Sequence, residues 1–210
     1  MTRELIFDME TMGQDTSKCV MLDCAYYTFD RDRFTTDKPY TFEELVRDIQ
    51  YRKVSVVDQV NNYSYVVDKS TVEWWSKREP EVRRRILPKP TDVLLRTFFI
   101  DMMDYIGNGK GLDRFWTRSN TFDPVILWRI ASSLEEEKLH NKRLPFWAVR
   151  DVRTYIDAMT DFKKHMNNFI PISDTEKWNK MFEQHNCVHD VAADVLRLQT
   201  LARVNEDLSV

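Results

Sequence analysis

"RELIFDMETMG", residues 3–13, ends a short apolar run with two acids, Asp8 and Glu10. Leu5, Ile6 and Phe7 favour burial, and an apolar run of this length predicts a first β-strand over residues 4–8. Side chains two apart in a strand point to the same face. Asp8 and Glu10 therefore converge, and two like charges about 4 Å apart repel by roughly 1–4 kcal/mol at surface-like dielectric. The arrangement calls for something positive beside it.

Outward from this strand, "CVMLDCAYYTFD" (19–30) has strand composition and predicts a second, antiparallel strand after the tight "MGQDTSK" connection. "TFEELVRDI" (41–49) reads as a short helix capped by Thr41, or a strand with helical ends, and "YRKVSVV" (51–57) as a third strand. "STVEWWSKREPEVRRRIL" (70–87) opens with Ser70 and has Glu73 three residues on, a capping-box pattern. Pro80 then splits the segment into two short helices. In "TDVLLRTFFIDMMDYI" (91–106), Leu94, Leu95, Phe98, Phe99, Met102, Met103 and Ile106 recur at helical spacing, and the loop "GNGKGLD" follows. "RFWTRS" (114–119) predicts a buried strand, and "FDPVILWRIASSL" (122–134) a helix with Pro124 in its first turn. "LPFWAVRD" (144–151) predicts a further strand leading into the helix "VRTYIDAM" (152–159), and residues 185–204 a long amphipathic helix. Strands first, then strand and helix in alternation, indicate an α/β fold with a mixed sheet covered by helices on both faces. We expect residues 1–210 to form one domain, with a helical insertion around 70–106.

With 42% hydrophobic and 31% charged residues the composition is that of a folded chain rather than a disordered one. The net charge of -3 supplies no global basic field, so a polyanion must bind through a local basic patch or through metal ions. No apolar run approaches the ~20 residues needed to cross a bilayer, so no membrane partner is expected. No apolar signal core precedes the first strand. Four glycines argue against a glycine-rich phosphate loop. Cys19, Cys24 and Cys187 are few, odd in number and without zinc spacing, which fits core filler in a reducing cytoplasm.

Acids recur at other element boundaries. Asp123 stands where a strand gives way to a helix, and Asp190 and Asp194 lie on the last helix, with His185 and His189 before Asp190. Brought together, such acids form a cluster of hard oxygen ligands suited to Mg²⁺ or Mn²⁺. Two cations about 3.5–4 Å apart would offset the repulsion and clamp the attacking and leaving oxygens of a phosphodiester. Each piece alone has a plainer explanation: a solvated strand edge for Asp8 and Glu10, a macrodipole-favoured first-turn acid for Asp123, a surface or core position for either histidine. The conjunction is what points to chemistry.

"IFDMETMG", "NTFDPVIL" and "HNCVHD" together resemble the three motifs of the DEDDh branch of the 3′-to-5′ exonucleases. "STVEWW", "RDVRT" and "HNCVHDVAADVL" narrow the likeness to the exonuclease A proteins of T-even-like bacteriophages and the related mycobacterial-type exoribonuclease domain, over nearly the whole chain. The resemblance implies a ribonuclease H-like fold and two divalent ions per site. Asp8 would bridge the ions, Glu10 and Asp190 would complete the first ion's shell, and Asp123 would act at the second. His185 would take a proton from the attacking water, and nucleoside 5′-monophosphates would leave from the 3′ end. A host cytoplasm is implied if the chain is phage-encoded.

His189, one helical turn from His185, remains its rival as base, because residues four apart on a helix share a face. His185 alone fits the motif spacing. Asp194 shares a face with Asp190 and reads as a supporting or surface acid. Trp74 and Trp75 cannot both face the core of one helix, so one of them is a candidate stacking platform, although core packing explains either alone. Lys77, Arg78, Arg83, Arg84 and Arg85 form a solvated helix face or hold substrate phosphates. Arg118, Ser119, Asn120, Arg150 and Arg153 are candidates for phosphate contact, and Met9, Thr11, Met12 and Gly13 for the terminal nucleotide. The leading reading is a 3′-to-5′ exonuclease on single-stranded DNA, with an exoribonuclease trimming RNA 3′ ends or short oligoribonucleotides as the alternative. A non-enzymatic binding module is disfavoured, because clustered acids repel phosphate. Exposed aromatics would serve either the substrate or a homodimer contact, and the sequence leaves both open.

Overall fold

The computed structural model describes residues 2–107, 112–162 and 169–207. Five strands, β1 (Arg3–Thr11), β2 (Met21–Asp30), β3 (Gln50–Lys53), β4 (Arg114–Thr117) and β5 (Val149–Asp151), form one sheet in the order β3-β2-β1-β4-β5. β1 pairs antiparallel with β2 and parallel with β4, so the sheet is mixed as the element order predicts. Ten α-helices are described: α1 (Phe42–Asp48), α2 (Val56–Tyr63), α3 (Lys69–Ser76), α4 (Pro80–Ile86), α5 (Leu95–Gly107), α6 (Asp123–Ser133), α7 (Glu137–Arg143), α8 (Val152–Met159), α9 (Thr175–Met181) and α10 (Cys187–Asp207). Among the described residues no helix is long and apolar enough to cross a membrane.

Both faces of β1 are buried, which explains its unbroken Leu-Ile-Phe run. Leu5, Phe7 and Met9 pack on one side against α5 (Leu95, Phe98, Phe99, Met102) and α6 (Ile126, Leu127, Ile130). Ile6 packs on the other against α1 (Phe42, Leu45), α8 (Val152, Ile156) and α10 (Val191, Val195). By the two-residue period Asp8 and Glu10 continue the Ile6 side, the side covered by α10. Cys19, Cys24 and Cys187 are free and buried, as core filler should be.

Thr41 caps α1 as predicted, its side chain accepting from the Glu44 amide at 3.2 Å. Elsewhere the chain departs from its sequence pattern for local reasons. The third strand stops at Lys53, because Ser55 caps α2 through the Asp58 amide at 3.2 Å and turns Val56 and Val57 into a helix. α3 is capped by Asp68, which accepts from the Thr71 amide at 3.0 Å, and Ser70 lies inside the helix. A carboxylate two residues upstream outcompetes the expected hydroxyl. Leu94 lies outside α5 and is exposed, its place in the periodic series accidental. Pro145 opens a 3-10 turn at Phe146–Ala148, leaving only Val149–Asp151 to pair as strand. The short polar α7 and α9 carry too little periodicity to announce themselves. Residues 108–111 of the "GNGKGLD" loop lie outside the described residues.

Replacing the true cap, Asp68→Ala, should cost about 0.5–2 kcal/mol, a fall in Tm of several degrees, at about 2–4 °C per kcal/mol for a chain of this size. Ser70→Ala should move it much less. Thermal denaturation of both variants checks this, and equal losses would return the cap to Ser70.

Candidate active site

Asp8 and Glu10 come from the C-terminal half of β1, and Asp190 from the first turn of α10. One oxygen from each of these three carboxylates lies within 4.8 Å of the others. Asp123, the first residue of α6, faces the same cleft, about 370 Å³ in volume. Asp8, Asp123 and Asp190 are buried or nearly so, and the acids from the start, middle and end of the chain meet as the sequence suggested.

The positive group beside them is Arg118, just beyond β4. Its guanidinium makes an ion pair with Asp190 Oδ1 at 2.8 Å, and its Nε donates to Asp194 Oδ2 at 2.9 Å. Asp194 is itself buried and accepts a second bond from Arg197 Nη1 at 2.6 Å. It thus anchors Arg118, a supporting role rather than a surface one. Burial is the largest influence on every acid in the cleft and pushes the carboxyl groups of Asp8, Glu10 and Asp190 up, with Arg118 opposing it. Burial likewise raises Asp123, to about 7, against Arg118 and Arg153. For Glu10 the next cause is the charge of Asp23, its partner in the β1–β2 ladder. Asp23 is buried, with Oδ2 accepting from the Tyr51 hydroxyl at 3.0 Å. Nothing in the strand pattern marked Asp23, since its register opposite Glu10 is visible only once β2 is paired.

The donor set fits a hard divalent cation. It is all carboxylate, crowded and desolvated, so binding a cation would favour the ionised state that burial opposes. Asp8, Glu10 and Asp190 could share one ion, and Asp123 stands within the same cleft for a second.

His185 also lines this cleft. It precedes α10 and has φ of 60°, a left-handed conformation that takes it off the helix face. Its ring meets Trp74 edge-on at 4.8 Å between centroids and Trp75 at 6.0 Å. Its backbone carbonyl accepts from Arg85 Nη2, while Arg85 Nη1 pairs with Glu183 at 2.8 Å. Burial lowers the imidazole pKa, with Asp190 opposing, so the ring favours its neutral form. His189 does not share this position. Its Nδ1 accepts from the Glu183 amide at 3.0 Å and its ring packs on Phe42, outside the cleft lining. The shared-face argument fails because His185 is not helical.

The remaining predicted contacts divide. Trp75 packs chiefly in the core, buried with Leu22, Val82 and Ile86 and donating its Nε1 to the Thr11 carbonyl at 3.0 Å, while its ring also borders a hollow adjoining the cleft. Trp74 is 38% exposed and lines this hollow, about 410 Å³ in volume, with Thr11, Gly13, Ser70 and Thr71. Glu10 and Phe122 line both hollow and cleft, so the two are continuous. The Arg78 guanidinium sits 4.1 Å from the centroid of Trp74, and Arg85 turns inward as described, so this basic run is only partly a solvated face. Met9, Arg118 and Ser119 line the cleft. The Met12 amide is unavailable to a nucleotide, since it donates to Val20 O at 2.8 Å within the chain. Asn120 faces a different groove. Arg150 stays out of the cleft, donating to the carbonyls of Trp147 and Val149 at 2.9 and 2.7 Å, whereas Arg153, three residues on in α8, lines it. Thr121 and Phe122 line it too, and only their proximity to Asp123 could have flagged them.

A family model described as the 3′-5′ exoribonuclease Rv2179c-like domain matches residues 3–199. The exodeoxyribonuclease of Enterobacteria phage T4 is 29% identical over 213 residues, covering 95% of this chain and 89% of that protein. Among solved structures, the zinc-ion-bound complex of E. coli exonuclease I with single-stranded DNA matches with a TM-score of 0.59 at 14% identity, over 99% of this chain and 41% of that one. A moderately thermophilic exonuclease I from Methylocaldum szegediense matches with a TM-score of 0.55 at 12% identity, over 94% of this chain and 40% of that one. The chain thus spans about two fifths of the length of these structures, and the likeness is one of fold.

A group whose folded pKa is raised stabilises the fold fully below its unfolded pKa, about 3.9 for Asp, and loses that contribution as pH rises through its folded value. For Asp123 that window runs up to about 7. In chelator, Asp123→Asn should therefore gain in Tm relative to the wild type between pH 5 and pH 8, by a few degrees. Calorimetry at the two pH values measures the difference, and a constant offset would mean that Asp123 is ionised throughout.

Proposed function

This chain belongs to the family of 3′-5′ exoribonuclease Rv2179c-like domains, and from that premise we propose that this 3′-5′ exonuclease acts preferentially on single-stranded DNA with a free 3′ end. The observation that carries the reading is the convergence of Asp8, Glu10 and Asp190 beside Asp123 and His185 in one open cleft. The DNA preference is supported by the likeness to the phage T4 exodeoxyribonuclease along nearly all of this chain. The description of the family as exoribonucleases supports the second reading, removal of nucleotides from RNA 3′ ends.

In this mechanism Asp8, Glu10, Asp190 and Asp123 would hold two Mg²⁺ or Mn²⁺ ions. When bound, the ions supply charge neutralisation for the phosphate and acidify the attacking water. The residues of the chain do the rest. His185, kept neutral by burial, accepts the proton of the water as its oxygen bonds to phosphorus. The bond from phosphorus to the 3′ oxygen of the preceding nucleotide breaks. A nucleoside 5′-monophosphate leaves, and the departing 3′ oxygen takes a proton from solvent to become the new 3′-hydroxyl of the shortened strand. Arg118, anchored by Asp194, keeps Asp190 oriented. Trp74 and Thr11 face the hollow that continues from Glu10, which suits the terminal base and sugar.

On 5′-labelled oligonucleotides with Mg²⁺ or Mn²⁺, a ladder shortening from the 3′ end is expected, faster on DNA than on the matching RNA and absent in chelator. Faster RNA cleavage would install the second reading. Asp8→Ala and Asp190→Ala should abolish cleavage without loss of fold. His185→Ala should slow it by about 10²- to 10⁴-fold and His189→Ala should have little effect. The reverse pattern for the two histidines would make His189 the base.

A further inference from the structure

Beside the acid cleft lies a second, apolar groove of about 460 Å³ that the chemistry above does not use. Phe115 and Val149, partners across β4 and β5, line its floor, and Trp128 of α6 and Phe146 line its sides. Among the described residues no carboxylate lines it, and its polar groups are Asn120, His140 and Asn141. Phe146 is 82% exposed and its neighbour Trp147 68%, the two rings meeting edge-on at 5.3 Å. Two aromatic rings left this bare at the tip of one turn are a costly arrangement unless something covers them. The turn is also stiffened, because Arg150 holds the Trp147 and Val149 carbonyls.

Groove and cleft share a wall. In the segment 119–125, Ser119, Thr121, Phe122 and Asp123 face the acids, while Asn120, Pro124 and Val125 face the groove. A strand leaving the acids by that rim enters the aromatic groove next. Resting on the exonuclease reading above, we propose that this groove carries the 5′-ward continuation of the single-stranded substrate, its bases stacking on Trp128, Phe146 and Trp147. Every base offers a π-face, so aromatic platforms grip a strand without reading its sequence, as an enzyme that shortens the strand stepwise requires. The lack of acids along the groove spares the phosphates the repulsion they meet at the cluster, and the exposed Lys142 follows Asn141 at its edge. An apolar peptide or a second copy of the chain would also cover the rings, but a nucleic-acid strand is favoured because the groove begins where the acid cleft ends.

The test is the double variant Phe146→Ala/Trp147→Ala, whose side chains are too exposed to support the core. Steady-state cleavage is compared on an oligothymidylate of about 30 nucleotides, long enough to span several stacking positions, and on a trinucleotide that ends short of the groove. The expected result is a KM on the long substrate raised about 5- to 50-fold, with kcat and the trinucleotide kinetics unchanged. An unchanged KM on the long strand, or equal losses on both substrates, overturns the proposal. So does a wild-type dimer by light scattering that becomes monomeric in the variant, which assigns the patch to a second copy. If the wild type cleaves neither substrate, the exonuclease reading fails separately. The Kd of wild type and variant for the labelled long strand then still decides the groove: a 5- to 50-fold weakening in the variant supports it, about the range one stacked base supplies, and equal Kd overturns it.

Discussion

Three carboxylates with oxygens within 4.8 Å of one another are held at the end of β1 beside the buried guanidinium of Arg118. Fully ionised, each pair at that distance would repel by about 3 kcal/mol at an effective dielectric near 20, so the cluster needs positive charge or protons to offset it. Arg118 relieves part of the strain. Asp194, bonded to both Arg118 and Arg197, keeps that guanidinium from turning toward solvent. Burial first, and the neighbouring acids after it, hold the carboxyl groups of Asp8, Glu10 and Asp190 above their ordinary range. Site and fold meet here. The acids are close only because α10 lies against the Ile6 face of β1, and α10 lies there because Val191, Ala192 and Val195 bury themselves in the same core as Ile6.

That dependence sets the direction of a stability trade. The hydrophobic contacts of β1 and α10 force together groups that repel, so the apo-fold carries a local cost that its apolar layers must exceed. The cost is confined to one end of the sheet. At the other end of β1, Glu4 is equally buried but pairs with Arg114 at 2.8 Å and accepts from Trp116 Nε1 at 2.6 Å. One strand thus ends in two kinds of buried acid, one satisfied within the chain and one left short of positive charge. Only the second kind calls for a cation from outside.

Much of this was legible in the sequence where the signal was local and periodic. The first strand, the mixed sheet, the Thr41 cap, the helix beginning beside Asp123 and the long final helix follow from spacing and composition. The convergence of Asp8, Glu10, Asp123 and Asp190 was legible through the likeness of three motifs to those of a known family, although periodicity alone would not have joined them. The failures are those of competition and pairing. Ser70 lost its cap to Asp68, and the third strand lost Val56 and Val57 to the cap at Ser55. Arg150 and Arg153 were alike on paper, but they begin on opposite sides of a strand-to-helix junction and point to different places. Asp23 was invisible, because its opposition to Glu10 is a fact of register rather than of neighbourhood.

The choice between the two histidines shows what the helices between β3 and β4 contribute. Nothing on α10 distinguishes His185 from His189 except that one precedes the helix in a left-handed turn and the other lies within it. The turn is held from outside. Trp74 and Trp75 of α3 abut the His185 ring, and Arg85 of α4 takes its carbonyl while pairing with Glu183. Glu183 in turn donates its amide to His189 Nδ1, so the network that presents one imidazole to the cleft ties the other down. Trp74 also faces the hollow that runs on from Glu10. A base settling in that hollow would meet the ring that steadies the proposed proton acceptor. Trp74 and Trp75 thus border both the hollow and the His185 ring, so the same pair of side chains shapes the hollow and packs the imidazole.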